Sequence, residues 1–489
     1  MSTLIFEYHK DGGSSFDSAS AGVNTGGFEQ REPTQFKRES ALDLPEVAEG
    51  TVVRHYVRLS SLNHHVDKDI YPLGSCTMKY NPKVNDGLAF LEGFTNQHPA
   101  QPDEQCQGSL RLIHALGQEL CAITGFSDVT LQPVAGSHGE LTALFMIRKY
   151  HESRGNARRK VVIPDSAHGT NPASITLAGY EVVEVGSDEH GMLDLEHLAR
   201  VLDEDVAAAF MITNPNTLGI YDSHIARITE MVHGVGALCY MDGANLNALL
   251  GLVQPARSGF DIMHINLHKT FAVPHGGGGP GAGPLVVGQT LAPFLPGPVT
   301  RETPEGLRWV EPEQSIGRVH MWNGNFGALV RAYAYIRRLG ARGLRRVSEN
   351  AILNANYIRA RLKDTYRLGF ESPTLHEVVF SARNQKKLGY KASDIAKRML
   401  DFGMHAPTTY FPLIVPEALM IEPTETESKE SLDRFCDAML QIHRECEQKD
   451  PLLASAPNTT PVGRLNDVLA IKRADLGWSA GLEHTEAGS

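Results

Sequence analysis

The chain has 489 residues, of which 42% are hydrophobic and 21% are charged, which is typical of a folded globular protein. Its formal net charge of −11 argues against nucleic acid as the main partner, because phosphate binding needs a basic surface. No uncharged apolar run reaches the roughly 18 residues of a membrane span, and the N-terminus has no signal-peptide core. We therefore predict a cytoplasmic protein without a membrane partner.

The first part of the chain is rich in Gly, Ser and Glu and can bury little apolar surface, so residues 1–50 are predicted to form an N-terminal arm. Short β-branched runs then alternate with helical patterns across residues 51–345. The runs are KVVIPD, YEVVEVG, AAAFMITNP, ALCYMDGAN and IMHINLH. This alternation predicts an α/β fold, with a mainly parallel sheet flanked by helices in a large domain.

Longer helical patterns with two strand-like runs, HEVVFSA and EALMIEP, follow in residues 346–450. They predict a smaller α+β C-terminal domain, and the Pro- and Thr-rich residues 451–489 are predicted to be a surface tail. The six cysteines are scattered without a CxxC pair, which indicates reduced thiols in a cytosolic protein. They are Cys76, Cys106, Cys121, Cys239, Cys436 and Cys446.

The segment NLHKTFAVPHGGGGPGAGP, residues 266–284, is the most distinctive in the chain. Its glycines satisfy a dinucleotide pattern, but Pro280 and Pro284 interrupt the helix that such a site requires. A phosphate-loop lysine follows a glycine, whereas His268 precedes Lys269. The segment HINLH is predicted to be a strand, on which His264 and His268 would lie more than about 13 Å apart, so we predict no metal site.

A covalently bound cofactor explains this segment better than a nucleotide site or a metal site does. Lys269 follows a predicted buried strand, where its amine can form a Schiff base with the aldehyde of pyridoxal phosphate. Asp242 ends another such strand and can hold the pyridine nitrogen protonated. The backbone N–H groups of Gly136 and Ser137 start a predicted helix, which favours phosphate. His168 follows a third strand and offers a flat ring that can stack on the cofactor.

Long motifs around these residues resemble the glycine cleavage system P-protein family, which consists of pyridoxal phosphate-dependent glycine decarboxylases. The motifs are YPLGSCTMKYNP (71–82), LQPVAGSHGE (131–140), IPDSAHGTNPAS (163–174), MDGANLNAL (241–249), HAPTTYFPL (405–413) and IEPTETESK (421–429), together with the 266–284 segment. The resemblance implies the fold type I architecture of pyridoxal phosphate-dependent transferases. It also implies that Lys269 is the catalytic and cofactor-linking lysine.

The remaining cofactor-binding residues implied by the resemblance are Asp242, His168, Gly136, Ser137, His268, Ala244 and Thr213. The chain length matches the second subunit of the two-subunit bacterial form. The implied reaction decarboxylates glycine and transfers its aminomethyl group to the lipoyl arm of the H-protein. The implied partners are subunit 1, in an α2β2 heterotetramer, and the lipoylated H-protein.

Several alternatives stay open from the sequence. The chain could be another fold type I enzyme, such as an amino-acid decarboxylase or a cysteine desulfurase, or a non-catalytic partner half. His64, His65 and His405 are candidates for proton handling or for contact with the substrate carboxylate, and structural roles are equally compatible with them. Cys76 could be a redox thiol, although a small buried residue in a tight turn fits its context better.

Overall fold

The computed structural model describes residues 3–8, 40, 44–202, 207–277 and 279–473, which form two compact units. One unit comprises residues 1–65 and 457–489, and the other residues 66–456. Most of the predicted arm and the end of the predicted tail lie outside the described residues. The predicted domain boundaries at residues 50, 345 and 450 therefore stay predictions.

The helices, in chain order, are α1 (Glu49–Leu62), α2 (Lys83–Ala89), α3 (Glu92–Thr95), α4 (Gln107–Thr124), α5 (Gly136–Ser153), α6 (Thr170–Leu177), α7 (Leu195–Val201), α8 (Ile225–Gly234), α9 (Leu267–Thr270), α10 (Phe326–Leu362), α11 (Arg383–Lys387), α12 (Ala392–Asp401), α13 (Lys429–Gln448), α14 (Pro451–Ser455) and α15 (Asp467–Lys472). The first and last of these belong to the smaller unit. Within the described residues, no helix is both long enough and apolar enough to cross a membrane.

The strands are β1 (Asp128–Thr130), β2 (Lys160–Pro164), β3 (Glu181–Val185), β4 (Ala207–Thr213), β5 (Leu238–Gly243), β6 (Ile262–Ile265), β7 (Leu285–Val287), β8 (Val299–Thr303), β9 (Gly306–Val310), β10 (Arg367–Leu368), β11 (Val378–Ser381), β12 (Thr408–Thr409) and β13 (Ala418–Ile421). Seven of them form a sheet in the order β1-β7-β6-β5-β4-β2-β3, in which β2 to β6 run parallel and β7 runs antiparallel to its neighbours. The predicted α/β fold with a mainly parallel sheet is confirmed.

The central strands are buried on both faces, which explains why their sequences are continuous apolar runs rather than alternating ones. Phe210 and Ile212 on β4 point into one apolar cluster, shared with α4, α8 and α10. Ala209 and Met211 on the same strand point into another, shared with α5 and α6. The helices therefore cover both faces, and the edge at the carboxyl ends of the strands stays available for a site.

A second, antiparallel sheet in the order β10-β11-β13-β12 packs against α10, α12 and α13 around Phe380, Ile421, Ile395 and Phe435. This is the α+β arrangement predicted for the C-terminal part of the chain. Helix α10 runs from the large sheet to this one, with a non-helical residue at Gly340, and so crosses the predicted boundary at residue 345.

Two leucines on adjacent helices provide a stability test of this packing. Leu144 on α5 is 1% exposed within the apolar cluster, whereas Leu177 on α6 is 72% exposed. Leu144→Ala is expected to lower the free energy of unfolding by about 2–5 kcal/mol, because it removes buried methyl groups and leaves a cavity. Leu177→Ala should change it by less than about 0.5 kcal/mol. Chemical denaturation of both variants tests this; equal losses would contradict the packing.

Candidate active site

The sheet places three polar side chains next to one another at the carboxyl ends of adjacent strands. Thr213 on β4 is the register partner of Asp242 on β5, which is in turn the partner of His264 on β6. All three residues are buried. Because parallel strands end at the same edge, residues separated by 29 and 22 positions in sequence become neighbours.

Asp242 is a buried carboxylate, and each of its two oxygens accepts a hydrogen bond. Its Oδ1 accepts a hydrogen bond from the Ala244 N–H at 2.9 Å, and its Oδ2 accepts one from Asn171 Nδ2 at 3.1 Å. His264 Nε2 lies 3.4 Å from Oδ1. Burial raises the pKa of Asp242, but His264, Lys269 and the two hydrogen bonds outweigh it, so this pKa lies below its ordinary value. Asp242 is therefore ionised at neutral pH.

A hydrogen-bonded chain of side chains runs from β5 to the residue before Lys269. The Tyr240 hydroxyl contacts His264 Nδ1, His264 Nε2 lies 2.7 Å from Asn266 Oδ1, and Asn266 Nδ2 lies 3.3 Å from His268 Nε2. Burial lowers the pKa of His268 to about 3, so this imidazole is neutral at neutral pH. The chain holds these rings in fixed orientations beside Asp242.

Lys269 lies on the short helix α9, Leu267–Thr270, rather than on an extension of the strand. The strand β6 ends at Ile265, so the prediction that His264 and His268 lie on one strand is wrong. The reason is local: Lys269 N and Thr270 N both donate to the Asn266 carbonyl, which turns the chain. Lys269 lines one cavity with Asp242 and His168. Beside the larger effect of burial, its charge contributes to lowering the pKa of each.

Helix α5 begins at Gly136, so Gly136 and Ser137 supply its first two N–H groups, which have no partner within the helix. The chain approaches this point very closely. A Cβ on Gly136 would lie 2.6 Å from Asn266 Nδ2, and a Cβ on Gly283 would lie 2.1 Å from the Ala135 carbonyl oxygen. Glycine is required at both positions, because any side chain would displace the helix start or α9.

His168 is held by a neighbour that is itself anchored to a buried carboxylate. Thr170 Oγ1 lies 2.9 Å from His168 Nδ1 and donates to Glu140 Oε1 at 2.8 Å. The other Glu140 oxygen accepts from Ser174 Oγ at 2.8 Å. Burial lowers the pKa of His168, which favours a neutral ring. The histidine is thereby oriented through α5 and α6 rather than by its own strand.

One cavity of about 260 Å³ brings all eight predicted residues together. They are Gly136, Ser137, His168, Thr213, Asp242, Ala244, His268 and Lys269. The cavity also involves eight residues that the sequence did not single out: Ser75, Ala135, Glu140, Thr170, Thr217, Asn245, His264 and Asn266. Most of these residues lie inside the long sequence motifs quoted above. That location was the signal from which they could have been predicted as cavity residues. The roles assigned to the eight predicted residues stay predictions.

The four other candidates, His405, Cys76, His64 and His65, are not among the described residues that line this cavity. His405 stacks on Tyr71, with ring centroids 4.0 Å apart, and its Nδ1 contacts the Ala406 carbonyl. Cys76 lies between Ser75 and Thr77, and burial raises the pKa of its thiol. His64 and His65 belong to the smaller unit.

Comparison with known proteins gives consistent matches. Residues 347–458 match the family "Glycine dehydrogenase, C-terminal domain", and residues 139–298 match "Aminotransferase class-V". The chain is 55% identical over 475 residues to the probable glycine dehydrogenase (decarboxylating) subunit 2 of Chlorobium chlorochromatii, covering 97% of this chain and 98% of that one. It is 56% identical over 450 residues to the same subunit of Chlorobium phaeovibrioides, covering 91% and 93%.

Among solved structures, the fold is similar to that of a glycine decarboxylase (P-protein) of the glycine cleavage system in inhibitor-bound form. The TM-score is 0.70 at 19% identity, and the match covers 86% of this chain and 95% of that one. At this identity the likeness concerns the fold alone.

Proposed function

Because the chain belongs to the glycine dehydrogenase (decarboxylating) subunit 2 family, we propose that it decarboxylates glycine with the help of pyridoxal phosphate and passes the aminomethyl group to a lipoyl arm. The observation that carries this proposal is the single cavity shared by Lys269, Asp242, His168 and the start of α5. A cysteine desulfurase is disfavoured, because no cysteine of the described residues lines that cavity.

The residues present fit pyridoxal phosphate. Thr213 Oγ1 is buried in the cavity wall and has no hydrogen-bond partner among the described residues, so a polar ligand atom would satisfy it. The first N–H groups of α5 suit a phosphate, and the ionised Asp242 suits a protonated ring nitrogen. The close approach at Gly136 and Gly283 leaves the cavity bounded by backbone rather than filled by side chains.

When bound, pyridoxal phosphate supplies a conjugated ring that accepts the electron pair left behind as carbon dioxide departs from glycine. Lys269 would hold the cofactor aldehyde through its amine, and the negative charge of Asp242 would keep the ring nitrogen protonated. The neutral His168 offers an aromatic face. Preorganised groups of this kind lower the barrier because they need no rearrangement as charge develops.

The charge of the cavity suits loss of a carboxylate. Lys269 is its only lysine or arginine among the described residues, and the neutral His268 adds no cation. Burial also lowers the pKa of the adjacent His275 to about 4. A fixed arginine would stabilise the substrate carboxylate more than the transition state, in which that charge is leaving. Its absence from the described lining favours decarboxylation over a reaction that keeps the carboxylate.

We further propose two kinds of partner. The relatives are named as subunit 2, which points to a subunit 1, and we propose an α2β2 heterotetramer with it. The acceptor of the aminomethyl group is proposed to be the lipoylated H-protein.

Exchange of labelled bicarbonate into the carboxyl group of glycine tests this proposal. We expect little exchange with this chain alone and strong exchange after addition of subunit 1 and the H-protein. H-protein without its lipoyl group is the matched control, and it should restore far less exchange. Equal exchange with and without these proteins would contradict the proposed partners, and no exchange in the complete mixture would contradict the proposed reaction.

A further inference from the structure

The segment that contributes Ser75 to the cavity is held by two buried glutamates. The Ser75 N–H donates to Glu377 Oε2 at 3.1 Å. The Thr77 N–H and Oγ1 donate to the two oxygens of Glu422 at 2.9 and 2.6 Å. Asn245, which also lines the cavity, donates to the other oxygen of Glu377 at 3.3 Å. Glu377 therefore lies one hydrogen bond away from two cavity residues, and Glu422 holds Thr77, two residues further along the same segment.

This segment needs such support, because its backbone is strained. Ser75 has φ 66° and Thr77 has φ 49°, in the left-handed region that residues other than glycine rarely adopt. Backbone of this kind persists only where its surroundings determine it. The N–H groups of these two strained residues donate to Glu377 and Glu422, so the two glutamates help to hold this backbone in place.

The two carboxyl groups are too close to be ionised together. Glu377 and Glu422 are both 0% exposed, and one oxygen of each lies within 4.8 Å of the other and of His376 Nε2. Like charges at this distance repel strongly when water is excluded. Burial and the neighbouring Glu422 raise the pKa of Glu377 well above its ordinary value, and burial raises the pKa of Glu422 to about 7.

The surrounding charges do not remove this repulsion. His376 Nε2 lies 4.0 and 3.9 Å from the two carboxyl groups, and burial lowers its pKa to about 3, so it stays neutral. Burial keeps the Cys76 thiol neutral by raising its pKa. Lys79, the other nearby cation, pairs with Glu425 at 2.8 Å.

Among the described residues this leaves Lys269, whose charge acts on Asp242 as well as on both glutamates. One cation therefore faces three buried carboxyl groups. One proton retained by the two glutamates would lower the net negative charge of this group without removing it.

We propose that Glu377 and Glu422 together retain one proton at neutral pH, carried by one carboxyl group or the other. They act as positioning residues that fasten the Ser75–Thr77 segment, which contributes Ser75 to the cavity wall near Lys269. The pair touches neither substrate nor cofactor and acts through that wall. Removal of the retained proton places a second negative charge beside the first and loosens the segment. This inference does not depend on the identity of the substrate.

Infrared spectroscopy of the cofactor-free protein tests the retained proton directly. Slightly acidic wild-type protein should show a carboxylic-acid C=O band that shifts in D₂O and loses intensity in a first step near pH 7, as Glu422 ionises. The part that remains, from Glu377, should disappear only at higher pH. The band should be absent from the E377Q/E422Q double variant. The matched control is E417Q. Glu417 is also buried, but it is paired with Lys386, and its pKa lies below the ordinary value. E417Q should keep the band.

Hydrogen exchange tests the positioning role. Corrected for intrinsic rates, protection of the Ser75 and Thr77 amides should fall in wild-type protein as the pH rises above about 7, because the second glutamate then ionises beside the first. It should stay constant in E377Q/E422Q, in which each glutamine keeps one acceptor oxygen for the Ser75 or Thr77 N–H and cannot ionise. The proposal would be overturned by absence of the infrared band or by Ser75 and Thr77 amide protection that does not change with pH. A stoichiometric metal ion found by elemental analysis would also overturn it. The wild-type titrations keep it testable if the double variant does not fold.

Discussion

A Lys269→Ala variant is expected to lose all glycine-dependent bicarbonate exchange and the visible absorbance of the cofactor-loaded protein. Lys269 is the only lysine among the described residues of the cavity, so no other amine there can hold an aldehyde. The substitution removes the amine and leaves the rest of the hydrogen-bonded chain from Tyr240 to His268 in place. Borohydride reduction followed by peptide mass spectrometry should find the cofactor on Lys269 of the wild type and nowhere in the variant.

Lys149→Ala is the matched control for this experiment. Lys149 is exposed and lies on α5, the same helix whose first residues border the cavity. Its removal should leave absorbance and exchange unchanged. Retention of the visible band by Lys269→Ala would refute the assignment of the linking lysine, whatever its effect on the reaction.

An Asp242→Asn variant is expected to lower kcat on the order of 100- to 1000-fold, as when one preorganised electrostatic partner of a transition state is removed. Asparagine has nearly the same shape and keeps an oxygen for the Ala244 N–H. It lacks the negative charge that opposes Lys269 and that would hold a ring nitrogen protonated. The loss should therefore fall on kcat more than on KM for glycine.

The control for Asp242→Asn is Asp165→Asn. Asp165 also follows a strand, β2, but its carboxylate accepts hydrogen bonds from the Ser187 N–H and hydroxyl instead of facing the cavity. We expect kcat to stay within about threefold of wild type, since Asp165 does not line the cavity and changes away from such features usually have small effects. Equal losses in the two variants would indicate a general structural role for strand-end aspartates.

The large sheet could be predicted in most of its parts because its central strands are apolar on both faces. The runs KVVIPD and AAAFMITNP become β2 and β4 with ends displaced by one or two residues. Strands β1 and β7 were not foreseen, because they contain only three residues each and gain their stability from pairing with each other. A local sequence pattern does not report how much stability a strand gains from pairing with a distant segment, so such strands cannot be predicted from it.

The run Gly276–Gly279 does not itself pack against the helix start. Gly277 is exposed with no atom within 4 Å of an added Cβ, a Cβ on Gly276 would meet first the Gly279 carbonyl oxygen at 1.9 Å, and Gly278 lies outside the described residues. The close approach is at Gly283, against Ala135. A run of four glycines is conspicuous in a sequence. Gly283, which packs against the start of α5, is recognised as important only from its neighbour in space.

The sequence by itself determined the class of fold and the family, because apolar runs and long motifs carry those properties locally. It also predicted Lys269 and Asp242 as the reactive groups, since both follow or end apolar strand-like runs. Tertiary structure alone decided which groups support them. His264 becomes a partner of Asp242 only because β5 pairs with β6, and Glu140 orients His168 only because α5 packs beside α6. Glu377 and Glu422 are ordinary glutamates until folding removes water from both and places their carboxyl groups together, and that loss of solvation gives them properties that no linear pattern encodes.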